Sequence, residues 1–315
     1  MKKLAGYLLL CALSMIVTLI IVWILPGTYP HDLAALVNKK QMLINKKSPR
    51  MIFVGGSSQL TLNSPLIEKE LKYSVINMSL WGGLGTREHL DEIKPYLKPG
   101  DVVVVTMEYG TTLDKKYFEY IHTNDEAKKF FFLMSPGRHA RQLLRNREYF
   151  TVFTLIFELS QMKVKSYLRA IMTLNLRHLF DNGFPNYDAE FDDNGDRATP
   201  YHVFRPLMDS ETHFTFAEWK NHEFLNEFYD YATARHARIL FYFSHFPERQ
   251  YKSNERLIDA YHQLMKKSFK GTIINKPSDF IYPEEYFADT IYHLNEKGEK
   301  IRSVEMVKLL RKALQ

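Results

Sequence analysis

The chain has 315 residues, with 42 Lys plus Arg against 36 Asp plus Glu and a single cysteine. Its 45% hydrophobic and 25% charged content is that of an ordinary globular protein and excludes a disordered or collagen-like chain. Cys11 cannot form a disulfide within the chain, and a net charge of +6 with no basic run argues against a nucleic-acid binder.

At roughly 150 residues per domain, the length allows one large domain or two small ones. From Leu4 to Leu25 no charged residue occurs. A helix rising about 1.5 Å per residue would cross a hydrocarbon core of about 30 Å over that run. Lys2 and Lys3 precede it and Pro26-Gly27 ends it. The apolar region of a cleaved signal peptide is about 7–15 residues, shorter than this one, and no small-x-small site follows. Leu10 before Cys11 does not fit a lipoprotein signal either. The reading is therefore an uncleaved membrane anchor over residues 1–25, with membrane lipid as its partner. Lys39, Lys40, Lys46, Lys47 and Arg50 beyond the run would favour a cytoplasmic domain by a simple count. Long domains translocate largely regardless of charge, however, and the scarcity of cysteine is compatible with an oxidising exterior.

Residues 26–49 read as a polar linker. Short apolar runs of strand character follow at Met51–Val54, Tyr73–Asn77, Val102–Met107, Arg238–Phe243 and Thr272–Asn275. Nearly continuous apolarity predicts strands buried on both faces, as in a parallel sheet covered by helices. Helical patterns lie between them at Pro65–Leu71, Thr86–Leu97, Thr215–His236, Asn254–Phe269 and Glu296–Ala313. The alternation predicts an α/β domain over 50–315, three-layered, with a mostly parallel five-stranded sheet and sites at the carboxyl ends of its strands.

Residues 111–214 are far too long for a simple crossover, which needs about 10–15 residues. This insertion after the third strand carries helix-like segments around Asp125–Leu133, Gly137–Arg147 and Tyr149–Leu179. Between Arg138 and Arg177 stand eight Lys or Arg against Glu148 and Glu158. Amphipathic helices with solvated basic faces account for that pattern, as does a surface against anionic headgroups or a membrane partner. Tyr149–Ser160 is too short for a second span. Asp192-Asp193-Asn194-Gly195-Asp196 lacks the spaced ligands of a calcium loop and reads as a turn between short strands.

Two motifs carry possible chemistry. In Met51-Ile-Phe-Val-Gly55-Gly56-Ser57-Ser58-Gln59-Leu60, a buried strand runs into two glycines and two serines before a candidate helix. A serine there meets free N–H groups and the positive end of a helix dipole, a setting for a nucleophile whose attack creates an oxyanion. Taken alone, such a serine also reads as a helix cap. Serine needs a base, and His293 stands just before the last helix with Asp289 four residues upstream. A carboxylate at Nδ1 would fix the imidazole tautomer and stabilise imidazolium. Gly55-Gly56-Ser57-Ser58 lacks the spacing of a phosphate-binding loop.

Together these motifs resemble the SGNH (GDSL-like) hydrolase superfamily, which has a flavodoxin-like sheet. In that resemblance Gly56-Ser57-Ser58-Gln59-Leu60 matches the first block, with Ser58 at the nucleophile position. Asn77-Met-Ser-Leu-Trp81-Gly82-Gly83 matches the second, with Gly82 at the oxyanion glycine. Asp289 and His293 match the last block, spaced Asp-x-x-x-His rather than the commoner Asp-x-x-His. The third block should offer an Asn, but the chain reads Val105-Thr106-Met107-Glu108-Tyr109-Gly110. An ionised Glu108 aimed at an oxyanion would repel it.

The anchor, the Gly-Ser-Ser block and the basic insertion are similar to the membrane-anchored branch, which includes the teichoic-acid D-alanyl transfer protein and proteins of polysaccharide O-acetylation. The resemblance implies an extracytoplasmic serine acyltransferase or esterase acting on O-acyl, most simply O-acetyl, groups of a cell-envelope glycan. It implies no cofactor or metal. The partners it implies are an acyl donor and a membrane-bound O-acyltransferase. Ser58 would attack, His293 would act as base, Asp289 would orient it, and the N–H groups of Ser58 and Gly82 would hold the oxyanion. The competing expectation is a catalytically inactive scaffold or binding protein of an envelope-polysaccharide modification complex.

Overall fold

A computed structural model describes residues 2–24, 31–110, 125–175, 191–199, 201, 214 and 221–315. The chain divides into two compact units, one of residues 1–38 with 128–187 and one of residues 39–127 with 188–315.

The second unit is an α/β domain. Five strands, β1 (Arg50–Val54), β2 (Ser74–Asn77), β3 (Val102–Met107), β4 (Arg238–Phe243) and β6 (Thr272–Ile273), form one parallel sheet in the order β2-β1-β3-β4-β6. Every residue of β1 and β3 is buried, as their unbroken apolar runs require of strands covered on both faces. A two-stranded piece, β5 (Phe246–Pro247) with β7 (Ile281–Tyr282), lies apart from the sheet.

Helix boundaries follow from local chemistry. The helix Ser64–Leu71 starts at Asn63, whose side chain accepts from Leu66 N–H, has Pro65 in its first turn and ends at left-handed Lys72. The last helix, Glu296–Leu314, is capped by Asn295, which accepts from the N–H groups of Lys297 and Gly298. The helical signal at Thr215–His236 appears as Asn221–Thr233, its first residues lying outside those described.

The stretch expected to be a linker is instead a helix over His31–Asn45, because its apolar positions recur at helical spacing. It buries Leu33, Ala34, Leu36 and Leu43, and also Lys39. The Lys39 ammonium is satisfied by three carbonyls, of Asn77, Ser79 and Gly195, at 2.9, 2.7 and 2.6 Å. At the start of β1, buried Arg50 donates to Asp101 and to the carbonyls of Leu43 and Tyr96. Burial alone would raise the Asp101 carboxyl. The bonds from Arg50, Ser48 and Lys98 N–H outweigh it and hold the group below the usual range.

The first unit contains the apolar helix Lys2–Ile24, long and apolar enough to cross a membrane and with none of its apolar window buried within the protein. With it stand the helices Asp125–Met134, Pro136–Arg145 and Tyr149–Met172 of the insertion. Trp23 meets Phe132 edge to face with ring centres 6.0 Å apart, and Lys163 Nζ donates to Trp23 carbonyl at 2.8 Å. The parts of the insertion at 111–124 and 176–190 lie outside the described residues. The Asp192–Asp196 turn is closed by an antiparallel bridge between Phe191 and Arg197, and Asp192 Oδ1 accepts from the N–H groups of Asn194 and Asp196.

Candidate active site

In the order β2-β1-β3-β4-β6 the chain leaves β1 toward one side of the sheet and β3 toward the other. Ligands of such sheets bind at that reversal, beyond the carboxyl ends. Ser57 and Ser58 follow β1, Gly82 follows β2 and Glu108 follows β3, while Asp289 and His293 lie on the loop before the last helix.

After Val54 the chain passes Gly55 and extended Gly56 and enters a short 3-10 helix, Ser57–Gln59. A Cβ on Gly56 or on Gly82 would overlap the Glu108 carboxyl, so the lack of side chains lets three segments converge. Ser57, the first residue of the 3-10 turn, remains partly exposed, whereas Ser58 is wholly buried. Ser57 Oγ lies 2.8 Å from His293 Nε2, and His293 Nδ1 lies 2.8 Å from Asp289 Oδ1. Ser–His–Asp contacts of this kind join positions 236 residues apart in the chain.

The expectation of Ser58 as the hydroxyl facing the base is thus corrected by one position. Ser58 Oγ is buried and does not face His293, and what Ser58 offers to the site is chiefly its backbone. Its N–H donates to Glu108 Oε1 at 2.9 Å, and its carbonyl accepts from Arg302 Nη1 at 2.7 Å. The reason is the phase of the turn: the residue directly after the glycine pair emerges at the sheet edge, and the next rotates inward.

The longer Asp289–His293 spacing is closed by a small loop of the intervening residues. Ala288 N–H donates to His293 carbonyl at 2.8 Å, Phe287 bridges Leu294, and His293 N–H reaches Thr290 Oγ1 at 3.2 Å. The loop is pinned from both sides. His245 Nε2 donates to Tyr292 carbonyl at 2.7 Å, and Tyr292 Oη accepts from Gly110 N–H at 2.7 Å. Burial keeps His245 far below the ordinary imidazole range, with the Arg302 charge acting in the same direction, so it serves as a neutral donor. Tyr201 lies flat on His293, ring centres 3.9 Å apart and 6° from parallel, and the Arg197 guanidinium sits 4.4 Å from the Tyr201 ring centre.

Glu108, immediately after β3, occupies the middle of the site. Its Oε1 is 2.9 Å from Ser58 N and 3.2 Å from Ser57 Oγ, and its carboxyl rests against Gly56 and Gly82. Burial raises it above the usual carboxylate range, while the Ser58 N–H bond, the His293 charge and the serine hydroxyls pull the other way. The donor that the sequence assigned to an oxyanion therefore holds a carboxyl oxygen at rest. Gly82 lies beside this carboxyl and against Gly56.

Sequence reasoning missed Ser57 as the partner of His293, Tyr201 as its cover and Arg302 as the clamp on the Ser58 carbonyl. Only the first had a signal, the tight turn imposed by Gly55-Gly56. Among the described residues, no group of three or more His, Cys, Asp or Glu is arranged to hold a metal ion. Comparison of the chain with protein-family models and with curated proteins finds no match.

Proposed function

We propose that this protein is a membrane-anchored, extracytoplasmic serine acyltransferase or esterase of SGNH type, acting on O-acyl groups, most simply O-acetyl, of a cell-envelope polysaccharide. The observation that carries the reading is the hydrogen-bonded line Asp289–His293–Ser57 at the sheet's topological reversal. Ser57 Oγ bonds to the ester carbonyl carbon as its proton passes to His293 Nε2, and the carbonyl π pair becomes an oxyanion. Collapse breaks the ester C–O bond, and His293 protonates the departing sugar oxygen. A second hydroxyl, from a glycan or from water, is then deprotonated by His293 and takes the acyl group from Ser57. Transfer and hydrolysis share this acyl-serine and differ in whether water reaches it. The apolar helix Lys2–Ile24 supports anchoring. The exterior location, the glycan, the acyl donor and a membrane-bound O-acyltransferase partner rest on the resemblance of the motifs.

The test is labelling of the detergent-solubilised full chain by a fluorophosphonate. Labelling should map to Ser57, vanish in Ser57→Ala and His293→Ala, and persist in Ser58→Ala, which keeps the backbone N–H. Incubation with an acetylated envelope glycan should add an acetyl mass to Ser57. A second reading, a non-catalytic binding protein, is favoured by one feature: the Glu108 carboxyl fills the space an acyl oxygen needs at Ser58 N–H. A folded chain that never labels would establish that reading instead.

A further inference from the structure

Resting on the serine-acyl reading, we propose that Glu108 is a catalytic residue that works in its protonated form, donating a hydrogen bond to the acyl oxygen that displaces it from Ser58 N–H.

The argument begins with a count of protons. Asp289 faces Nδ1, so Nδ1 carries the hydrogen and Nε2 is left for Ser57. Among the described residues Ser57 Oγ has two hydrogen-bonding neighbours, Nε2 at 2.8 Å and Glu108 Oε1 at 3.2 Å, yet its hydroxyl has one proton. Both contacts are bonded only if one more proton is present, on His293 or on Glu108. With that proton on the imidazole, Ser57 donates to the Glu108 carboxylate and no base is available. With it on Glu108, the acid donates toward Ser57 Oγ, Ser57 donates to Nε2, and His293 is free to accept. The two arrangements contain the same number of protons, and only the second can begin acyl transfer.

The surroundings favour the second arrangement for a group in this place. Glu108 is buried, with 4% of its surface accessible, and Ser58 N–H is its backbone donor. Titratable groups near it among the described residues include His293 on the loop, with Asp289 behind, and Tyr242 on β4. Burial pushes the Tyr242 phenol up to about 12, so it is neutral. Arg302 bears on the cluster through the Ser58 carbonyl. The raised proton affinity of Glu108 is consistent with this setting. Gly56 and Gly82 leave the carboxyl the room it occupies, and an incoming oxygen takes that room only by displacing Oε1 from Ser58 N–H. As Ser57 attacks, the acyl oxygen takes Ser58 N–H, and the Glu108 O–H points to the charge that develops. The acid keeps its proton throughout, so no further reactant is needed. A neutral carboxylic acid can stabilise an oxyanion in this way when its site keeps it protonated.

The experiment follows the burst of p-nitrophenolate released by the full chain from p-nitrophenyl acetate, from pH 5 to 10, for wild type, Glu108→Gln and Glu108→Ala. Circular dichroism checks that each variant is folded. The amide of Gln keeps an N–H donor and cannot ionise. Glu108→Gln should stay within about 10-fold of wild type near neutrality and lose the alkaline decline, so that it overtakes wild type at high pH. Glu108→Ala should be slower by about 10²-fold, the usual cost of one oxyanion donor. An alanine variant as fast as or faster than wild type would make Glu108 a plug and overturn the proposal. So would a glutamine variant as slow as alanine, or one that keeps the wild-type alkaline limb. If Glu108→Ala does not fold, the pH profile of Glu108→Gln decides alone. Failure of Glu108 as donor leaves a burst in wild type that is lost in Ser57→Ala. The absence of any burst in all forms overturns the serine reading together with this one.

Discussion

Residue identity at the site is decided by a single step along the chain. Ser57 and Ser58 are chemically equivalent, and their roles diverge because one lies at the edge of the turn and the other beneath it. Asp289 is the residue whose part is easiest to isolate. At 2.8 Å from Nδ1 it accepts the ring N–H and fixes Nε2 as the acceptor for Ser57. Asp289→Asn keeps the shape but can present an N–H there, which favours the other tautomer. The p-nitrophenyl acetate rate should then fall by on the order of 10³–10⁴, with fold and melting temperature close to wild type. A rate within a few-fold of wild type would remove Asp289 from the machinery. The pairing of Asp289 with His293 was legible from their position before the last helix, despite the extra residue between them. The choice between adjacent serines was not, because hydrophobic pattern locates a turn to within a residue or two but does not set its phase. Tyr201 had no local signal, since stacking depends on a fold that brings distant segments together.

Elements were more legible than residues, because each strand and helix is written over several positions. Val102–Met107 and Arg238–Phe243 appear with the bounds their apolar runs imply. The helix His31–Asn45 was hidden by its lysines. Lys39 is buried through its bonds to three carbonyls, which composition alone cannot reveal. The same lysine bears on the helix Thr86–Ile93, whose His89 is buried with Leu90 and Ile93. Burial first, and then the Lys39 charge, lower His89 from 6.5 to about 4. The folded state therefore binds fewer protons than the unfolded state between those values, and stability rises with pH across the window. On acidification from pH 6.5 toward 4 this histidine should remove up to about 3 kcal/mol. Urea unfolding of wild type and His89→Gln at pH 7 and pH 4.5 measures it as the difference between the two slopes. Other groups, such as Asp101 and Asp196, titrate in both proteins and cancel. Equal pH dependence in the two would show that His89 does not exchange its proton on unfolding.

At the scale of the whole molecule, the sequence correctly separated an apolar N-terminal helix, a parallel α/β sheet and a long interruption after β3. What it did not convey is that this apolar helix and residues 128–187 of the interruption share one compact unit. In the sequence the helix reads as a free tether because its own residues are uniformly apolar and carry no sign of a partner. Yet Trp23, near its end, meets Phe132 edge to face, and its carbonyl takes the Lys163 ammonium. Both contacts are satisfied only while the helix Lys2–Ile24 is present. Removing that helix takes the Trp23 carbonyl from Lys163 and the Trp23 ring from Phe132, while Phe150, Phe153 and Phe157 of the helix Tyr149–Met172 are already exposed. A chain cut to residues 39–315 should therefore aggregate in detergent-free buffer. The same chain with residues 128–187 replaced by a short Gly/Ser linker should be monodisperse, since the sheet domain then keeps its own core without the uncovered helices. Size-exclusion chromatography and circular dichroism of the two proteins check this. If the chain cut to 39–315 is itself soluble and monomeric, the insertion does not need the apolar helix Lys2–Ile24 to cover it.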